Sequence, residues 1–357
     1  MRVSEYKGHL CAMPSRSILE QTKFGQLRIK SFRTGVALLL LAAVVGCAPV
    51  EKNHWVVAAD GSGDYRSVQE CLDALPSKPT TWRTVEIKSG EYREKVTLDV
   101  YKDKVHIIGH DGATIVWDDH TGRVEPDGHV MTTYDTWTLS VQADDVVVEN
   151  LTISNDAGEV GQAVAVETRG DRIEFINCRM LGDQDTFFTK GYASRLYLKG
   201  CYIEGTTDFI FGASIALFDS CTIHCKKNSY ITAASTTERN RYGYVFRNCT
   251  ITAAEGVTKL YLGRPWKQTA KTVFLACKLP SAIRPEGWHN WNDRRREEHS
   301  FYAEWGCTGE GADRKGRVAW SHELTDEQAA EYTPEKIFAF KTGSEAFRWD
   351  WLPRSLK

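Results

Sequence analysis

From Val85 onward the chain alternates short apolar runs with turn residues. The runs hold three to five β-branched or aromatic positions: Val85-Glu-Ile-Lys, Val105-His-Ile-Ile-Gly, Val146-Val-Val-Glu-Asn, Arg172-Ile-Glu-Phe, Arg195-Leu-Tyr-Leu, Tyr244-Val-Phe and Thr272-Val-Phe-Leu. Gly, Asn and Asp separate them. This pattern predicts many short strands and few helices. The exception is Ser67-Val-Gln-Glu-Cys-Leu-Asp-Ala-Leu, where Val68, Cys71, Leu72 and Leu75 fall at helical spacing and Pro76 follows. It predicts one short amphipathic helix.

The runs are phased. Asn150-Leu-Thr-Ile, Asn177-Cys-Arg-Met, Gly200-Cys-Tyr-Ile, Ser220-Cys-Thr-Ile, Asn248-Cys-Thr-Ile and Ala276-Cys-Lys-Leu share one form. They recur from Leu151 at intervals of 27, 23, 20, 28 and 28 residues. A period of twenty-odd residues made of strands and turns means a solenoid, in which each repeat buries its apolar face only against its neighbours. With no long helices between the strands, a doubly wound α/β sheet is excluded. The expectation is an all-β parallel β-helix: each coil stacks on the last at the strand spacing of ~4.8 Å, and equivalent side chains form ladders. Cys178, Cys201, Cys221, Cys249 and Cys277 then form one internal stack of free thiols. Helix 67–75 caps the open end, and the tail Leu324–Lys357, which lacks the phase, lies along the outside of the coils.

Ahead of the repeats, residues 36–45 form a ten-residue apolar run preceded by Arg28, Lys30 and Arg33 and followed by Gly46-Cys47. The run is too short to span a bilayer and has the layout of a secretory signal. Val44-Val-Gly-Cys47 resembles a bacterial lipobox, which makes Cys47 the lipidated mature N-terminus. The expected organisation is a signal region 1–46, a linker 47–54 and one catalytic domain over 55–357. The chain is expected to be anchored by its lipid on the non-cytoplasmic side of a bacterial cell envelope, facing the periplasm or the cell surface, and to be a monomer.

Composition adds little. The formal charge of −2 carries no basic excess, so no nucleic-acid partner is expected. Ten cysteines in 357 residues are too dilute for a disulfide scaffold. Eleven tryptophans suit either packing or stacking on sugar rings and bases. No His or Cys cluster has metal-ligand spacing, and no metal or cofactor is expected. His289 and His299 are isolated and read as surface or packing residues.

The chemistry emerges from ladder arithmetic. Asp185 and Asp208 each stand seven residues after a ladder cysteine, and Gln162 and Asp185 each stand sixteen before one. Arg264 and Asp208 each stand thirteen before one. The count predicts a column of Gln162, Asp185, Asp208 and, two coils beyond at roughly 10 Å, Arg264. Two carboxylates about 5 Å apart cannot both ionise cheaply. The Asp nearer the arginine, Asp208, is expected to be the anion and Asp185 to hold the proton, which makes a nucleophile beside a general acid. Gln162 and Gln184 supply amide donors for an oxyanion. A polar ladder that merely satisfies turn backbone is the competing reading.

Five motifs in the same region resemble the pectin methylesterase (pectinesterase) family: Gly90-Glu-Tyr-Arg-Glu94, Gln162-Ala-Val-Ala-Val166, Gly182-Asp-Gln-Asp-Thr186, Asp208-Phe-Ile-Phe-Gly212 and Leu262-Gly-Arg-Pro-Trp266. The resemblance spans most of residues 55–320 and implies a right-handed parallel β-helix. It implies a carboxylic ester hydrolase that demethylates galacturonate units of methyl-esterified homogalacturonan (pectin) without a cofactor. By resemblance Asp208 is the nucleophile, Asp185 the general acid and then base, Gln162 and Gln184 the oxyanion hole and Arg264 the group that orients Asp208. Trp266 packs on the sugar and Phe188, where the family often has Tyr, lines the cleft, so Trp266, Arg264, Phe188 and Gln162 contact substrate. Asp183 replaces an aromatic common before Gln-Asp-Thr, which bears on subsite preference. The alternatives are a same-fold esterase or thioesterase acting on a non-pectin ester, a β-helix galacturonan hydrolase or lyase, and a non-catalytic carbohydrate-binding β-helix.

Overall fold

In the computed structural model, residues 52–339 and 350–357 are described, all within one unit spanning Glu51–Lys357. The expected leader 1–46, Cys47 and the first part of the linker lie outside the described residues. Three parallel sheets wind into a right-handed parallel β-helix, with eleven strands in the first sheet and seven in each of the other two. Seven successive coils, from Arg83–Ile87 to Tyr261–Gly263, contribute one strand to each sheet in turn, and the remaining four strands extend the first sheet at its two ends.

The phases of the sequence sort onto these sheets. All seven short apolar runs from Val85 onward fall on the first sheet, in the strands Arg83–Ile87, Val105–Gly109, Val146–Glu149, Ile173–Ile176, Arg195–Lys199, Tyr244–Arg247 and Lys271–Leu275. The Leu/Cys repeats open the strands of the second sheet, such as Thr152–Asn155, Arg179–Leu181, Tyr202–Gly205, Thr222–Cys225 and Thr250–Ala253. The third sheet carries the polar motifs, on Val166–Thr168, Phe187–Thr189, Ile210–Gly212, Tyr230–Ala234 and Tyr261–Gly263.

The residue before each ladder position explains the repeat. Asn150, Asn177, Gly200, Ser220, Asn248 and Ala276 all have φ between 50° and 63°. Each of these six coils turns from the first sheet to the second through one left-handed residue, a conformation that Gly adopts freely and Asn tolerates better than most. The following Cys turns inward. All five predicted ladder cysteines are buried and free. Their thiols point back at carbonyls one coil earlier, Cys178 at Val148 O (3.3 Å) and Cys201 at Phe175 O (3.3 Å). Gly306-Cys307 adds a further rung that the sequence count left out, with Gly306 at φ 60° and Lys278 in register with Thr308.

Interior ladders form the core. Ile153, Met180, Ile203, Ile223 and Ile251 are in successive register down the second sheet. In the first, Phe218 stacks on Phe246 at 4.3 Å and Phe246 on Phe274 at 4.4 Å between ring centroids. The tail covers the outer face of the first sheet, as expected: Leu324, Ile337 and Phe338 are buried against Tyr197, Leu217 and Val245. The backbone amides of Arg354 and Ser355 bind the Glu174 carboxylate.

The first coil is closed by the helix Val68–Ala74, whose Val68, Cys71 and Leu72 join the core. Its exposed amides are satisfied from the second sheet. Glu94 accepts from Ser67 Oγ (2.6 Å), Val68 N (2.9 Å) and Gln69 N (3.0 Å). The Gly90–Glu94 motif is therefore a capping device that pins the end helix to the solenoid. Removing the carboxylate strands two helix amides and releases the cap. Glu94→Ala is expected to lower the unfolding free energy by about 1–3 kcal/mol, read by urea denaturation, with the activity of the folded fraction retained.

Candidate active site

The third sheet turns its outer face to a cleft of about 380 Å³, lined by Gln162, Gln184, Asp185, Phe188, Asp208, Phe211, Arg264, Trp266 and Trp291 together with Thr133, Tyr134 and Ala233. That is room for a sugar-sized ligand. All the predicted site residues within the described range meet here.

Asp185 and Asp208 each stand two residues ahead of adjacent strands, Phe187–Thr189 and Ile210–Gly212. Asp185 N donates to Thr207 O and Phe187 N to Phe209 O, which sets Asp185 in register with Asp208 one coil on. Both adopt the left-handed conformation, at φ 69° and 50°. This backbone costs energy for most side chains but is more accessible to Asp. Each carboxyl is thus fixed by a turn rather than by the middle of a strand.

Arg264 reaches Asp208 as a two-pronged pair, Nε to Oδ1 at 3.0 Å and an η nitrogen to Oδ2 at 2.6 Å. Its guanidinium lies between two aromatic faces, 3.9 Å from the Tyr230 ring centre and 3.6 Å from that of Trp291. Such a sandwich fixes the plane of the fork and dries one side of the ion pair. Trp291 is itself held by a tight turn: Trp291 and Asn292 have φ 60° and 58°, and Trp291 N donates to His289 Nδ1 at 3.0 Å. His289 packs against Tyr230 and Tyr261. Burial, with Arg264 and Arg284 nearby, keeps its imidazole less basic than usual.

The ladder count needs two corrections. Gln162 is in register with Gln184, not with Asp185. Thr186 O accepts from both Ala165 N and Val166 N, so one extra residue bulges out there and slips the register by one. The two glutamines therefore stand side by side, as a pair of donors should. Arg264 N donates to Thr232 O, which places Arg264 over Ala233 rather than in the Asp208 column. It does come from two coils beyond Asp208, but its side chain runs diagonally back. The loops between sheets differ in length from coil to coil, so counting from cysteines drifts by a few residues at the third sheet.

The two carboxyls differ electrostatically. Burial pushes Asp185 well above the usual carboxylate range, the neighbouring Asp208 charge adds to this, and Arg264 opposes it. Burial also raises Asp208, and the hydrogen bonds and charge of Arg264 work against the rise. Arg264 thus favours ionisation of Asp208 first, while among the described residues no protein side chain hydrogen-bonds the Asp185 carboxyl. The side-chain amides of Gln162 and Gln184 likewise have no protein partner among the described residues, leaving their donors for a ligand.

Aromatic side chains form the walls. Phe188 stacks on Phe211 at 4.3 Å and 8°, and Phe211 meets Trp266 at 6.0 Å. Asp183 faces away from the carboxyl pair and binds Lys226 Nζ at 2.7 Å. Sequence reasoning missed Tyr230 and Trp291, and the Thr133–Tyr134 wall. Tyr134 sits in an insertion outside the repeat, and Trp291 in the dense Trp288-His-Asn-Trp291 run, the one signal that could have drawn attention to it.

Residues 54–341 match the family model described as Pectinesterase. Pectinesterase 31 of Arabidopsis thaliana is 37% identical over 284 residues, covering 77% of this chain and 89% of its own. Among solved structures, the pectin methylesterase from carrot superposes with a TM-score of 0.75 at 31% identity, covering 81% of this chain and 93% of its own. A pectin methylesterase in complex with a hexasaccharide superposes at 0.70 with 27% identity, covering 84% and 97%.

Burying an ionisable Asp185 costs stability. An unfolded aspartate titrates near ~3.9, while the folded protein keeps the Asp185 proton to higher pH. Across that window the folded state binds more protons, so the contribution of Asp185 is fully present below the unfolded pKa and is lost as pH rises through the folded one. Asp185→Asn is therefore expected to raise Tm at pH 7 relative to wild type. The gap should close as pH falls below about 4, as thermal melts at a series of pH values would show.

Proposed function

The chain belongs to the pectinesterase family, and from that premise we propose that Asp208 and Asp185 carry out its hydrolysis of galacturonate methyl esters in pectin. The observation that carries the assignment of roles is the asymmetry of the pair. Asp208 is held by both prongs of Arg264, and Asp185, one coil away, is buried without a cation of its own.

An Asp208 oxygen attacks the carbonyl carbon of the methyl ester. Arg264, locked between Tyr230 and Trp291, keeps that carboxylate ionised and aimed. The developing oxyanion takes hydrogen bonds from the Gln162 and Gln184 amides, whose positions in register let both donors reach one atom. As the C–O bond to the methoxy group breaks, Asp185 gives its proton to the departing oxygen and methanol leaves. The product at this stage is a mixed anhydride between Asp208 and the galacturonate. Asp185, now an anion, takes a proton from water, which attacks the acyl carbon. The anhydride bond to Asp208 breaks, and both aspartates return to their starting states. Trp266 and the Phe188–Phe211 stack provide an apolar wall for the sugar rings.

Asp208→Ala is expected to reduce methanol release from methylated pectin by at least about 10³-fold, the scale of nucleophile loss, with no new reducing or unsaturated ends in either protein. Wild-type-like release would sink the assignment. Activity should also be bell-shaped in pH. The acid limb follows protonation of Asp208, above the usual aspartate range, and the alkaline limb follows loss of the Asp185 proton. Asp185→Asn should lose the alkaline limb together with most of the rate.

We also propose that Cys47 is lipidated and holds the β-helix on the non-cytoplasmic side of an envelope membrane. The support is the basic, apolar and small-residue order of residues 28–47. Cys47→Ala should move the protein from the membrane to the soluble fraction of the cell envelope. An unchanged distribution in fractionated cells would rule the anchor out.

A further inference from the structure

The two aromatic faces that grip Arg264 arrive from different parts of the chain. Tyr230 opens the strand Tyr230–Ala234 and is fixed by the pairing of the third sheet. Trp291 stands beyond the last strand of that sheet. Among the described residues, the pairing ends with the bridge between Gly263 and Trp288, short of Trp291. Something other than strand register has to bring the second face onto the guanidinium.

His289 meets both faces. Its ring centre lies 5.4 Å from that of Tyr230 and 5.4 Å from that of Tyr261, and these two tyrosines stack on adjacent coils at 5.1 Å. Its Nδ1 accepts from Trp291 N at 3.0 Å. Its own N–H donates to Gly263 O at 3.2 Å, next to Arg264 in the chain. One side chain and its amide thus join the strand end that carries Arg264, the face built into the sheet and the face carried by the turn.

The turn depends on that join. Trp291 has φ 60°, where a bulky aromatic is a rare occupant and costs of order 1–3 kcal/mol. The His289 ring nitrogen offsets this by binding the Trp291 amide, as the Asn290 side chain does for Asn292 N at 2.8 Å one residue later. Arg296 adds a second hold, lying 5.3 Å from the Trp291 ring centre and donating to Pro265 O. Acceptance at Nδ1 requires a neutral ring with its proton on Nε2. Burial and the positive charges of Arg264 and Arg284 favour the neutral ring. The arginine that aims Asp208 therefore helps keep its own clamp closed.

We propose that His289 is a positioning residue for ester hydrolysis, which sets Trp291 and Tyr230 against Arg264 and so holds the guanidinium fork on Asp208. It acts through Arg264 rather than on the reacting atoms. The role rests on the proposed esterase reading, in which Asp208 has to stay ionised and aimed.

The test compares two substitutions in methanol release from methylated pectin. His289→Phe keeps a ring beside the tyrosines and removes the acceptor. His289→Asn restores an acceptor for the amide two residues on, in the manner of Asn290. His289→Phe should lower kcat/KM about 10- to 10²-fold, the scale of a misplaced catalytic group. It should also move the acid limb of the pH profile upward, by up to about one unit, because a loosened Arg264 favours the Asp208 anion less. His289→Asn should recover most of the rate and return the acid limb to its wild-type position, which a merely structural role would not do. In an Arg264→Ala background, His289→Phe should cost almost nothing further, since the two act in series. Where His289→Phe does not fold, His289→Ala takes its place in the same comparison. Fully additive losses, an Asn variant as impaired as the Phe variant, or a Phe variant with wild-type rate and acid limb each overturn the role while leaving the esterase reading intact. A wild type that releases no methanol overturns both.

Discussion

The spacing between hydrogen-bonded coils governs this molecule. Each coil must pair its backbone with the next at ~4.8 Å, and nearly everything else follows from that repeat. It stacks the phenylalanines of the first sheet ring on ring and lines up the cysteines of the second. It also fixes the separation of two carboxyls on the third sheet without any dedicated scaffold. A reactive pair of aspartates needs them close enough for one to raise the pKa of the other and far enough apart to take different roles. Adjacent rungs of a β-helix meet that condition by construction.

Regular stacking alone would make the two aspartates equivalent. The difference comes from what breaks the repeat. Arg264 arrives from two coils further on and crosses diagonally to Asp208. The Trp291 turn, built from two consecutive left-handed residues, closes over it. The bulge at Ala165–Val166 moves Gln162 beside Gln184. The site is a periodic lattice carrying three local defects, and each defect places a group that the periodic part could not.

This division also explains what could be read from the sequence. The ladder residues were legible because burial forces the same type at the same phase: Leu or Cys after a left-handed turn, then an inward Ile or Met two positions on. The two aspartates were legible because they repeat with that phase. Arg264 was found at the correct coil but not the correct register, and Gln162 was displaced by one, because bulges and loop lengths leave no mark in a count from cysteines. Tyr230, Trp291 and Tyr134 were missed for a different reason. Their roles come from neighbours distant in sequence, and an aromatic residue looks the same whether it packs a core or faces a cleft. Glu94 shows the converse: its motif pointed to the family, and its side chain serves the end helix rather than the chemistry.

The stack of free thiols has a bearing on how such a chain comes to be folded. Six cysteines stand on consecutive rungs from Cys178 to Cys307; in the finished molecule the first five are buried in the core, out of reach of oxidants, and Cys307 is half-buried at the end of the stack. Before a rung closes, its thiol has no such shelter, and the neighbouring sulfur is the nearest partner it could wrongly join. A rung's thiol gains protection once the neighbouring coils have laid their strands against it, wherever along the solenoid the stacking starts. In oxidising surroundings, folding of this solenoid becomes a race between propagation and sulfur chemistry, and a delay at one coil exposes every thiol still waiting beyond it.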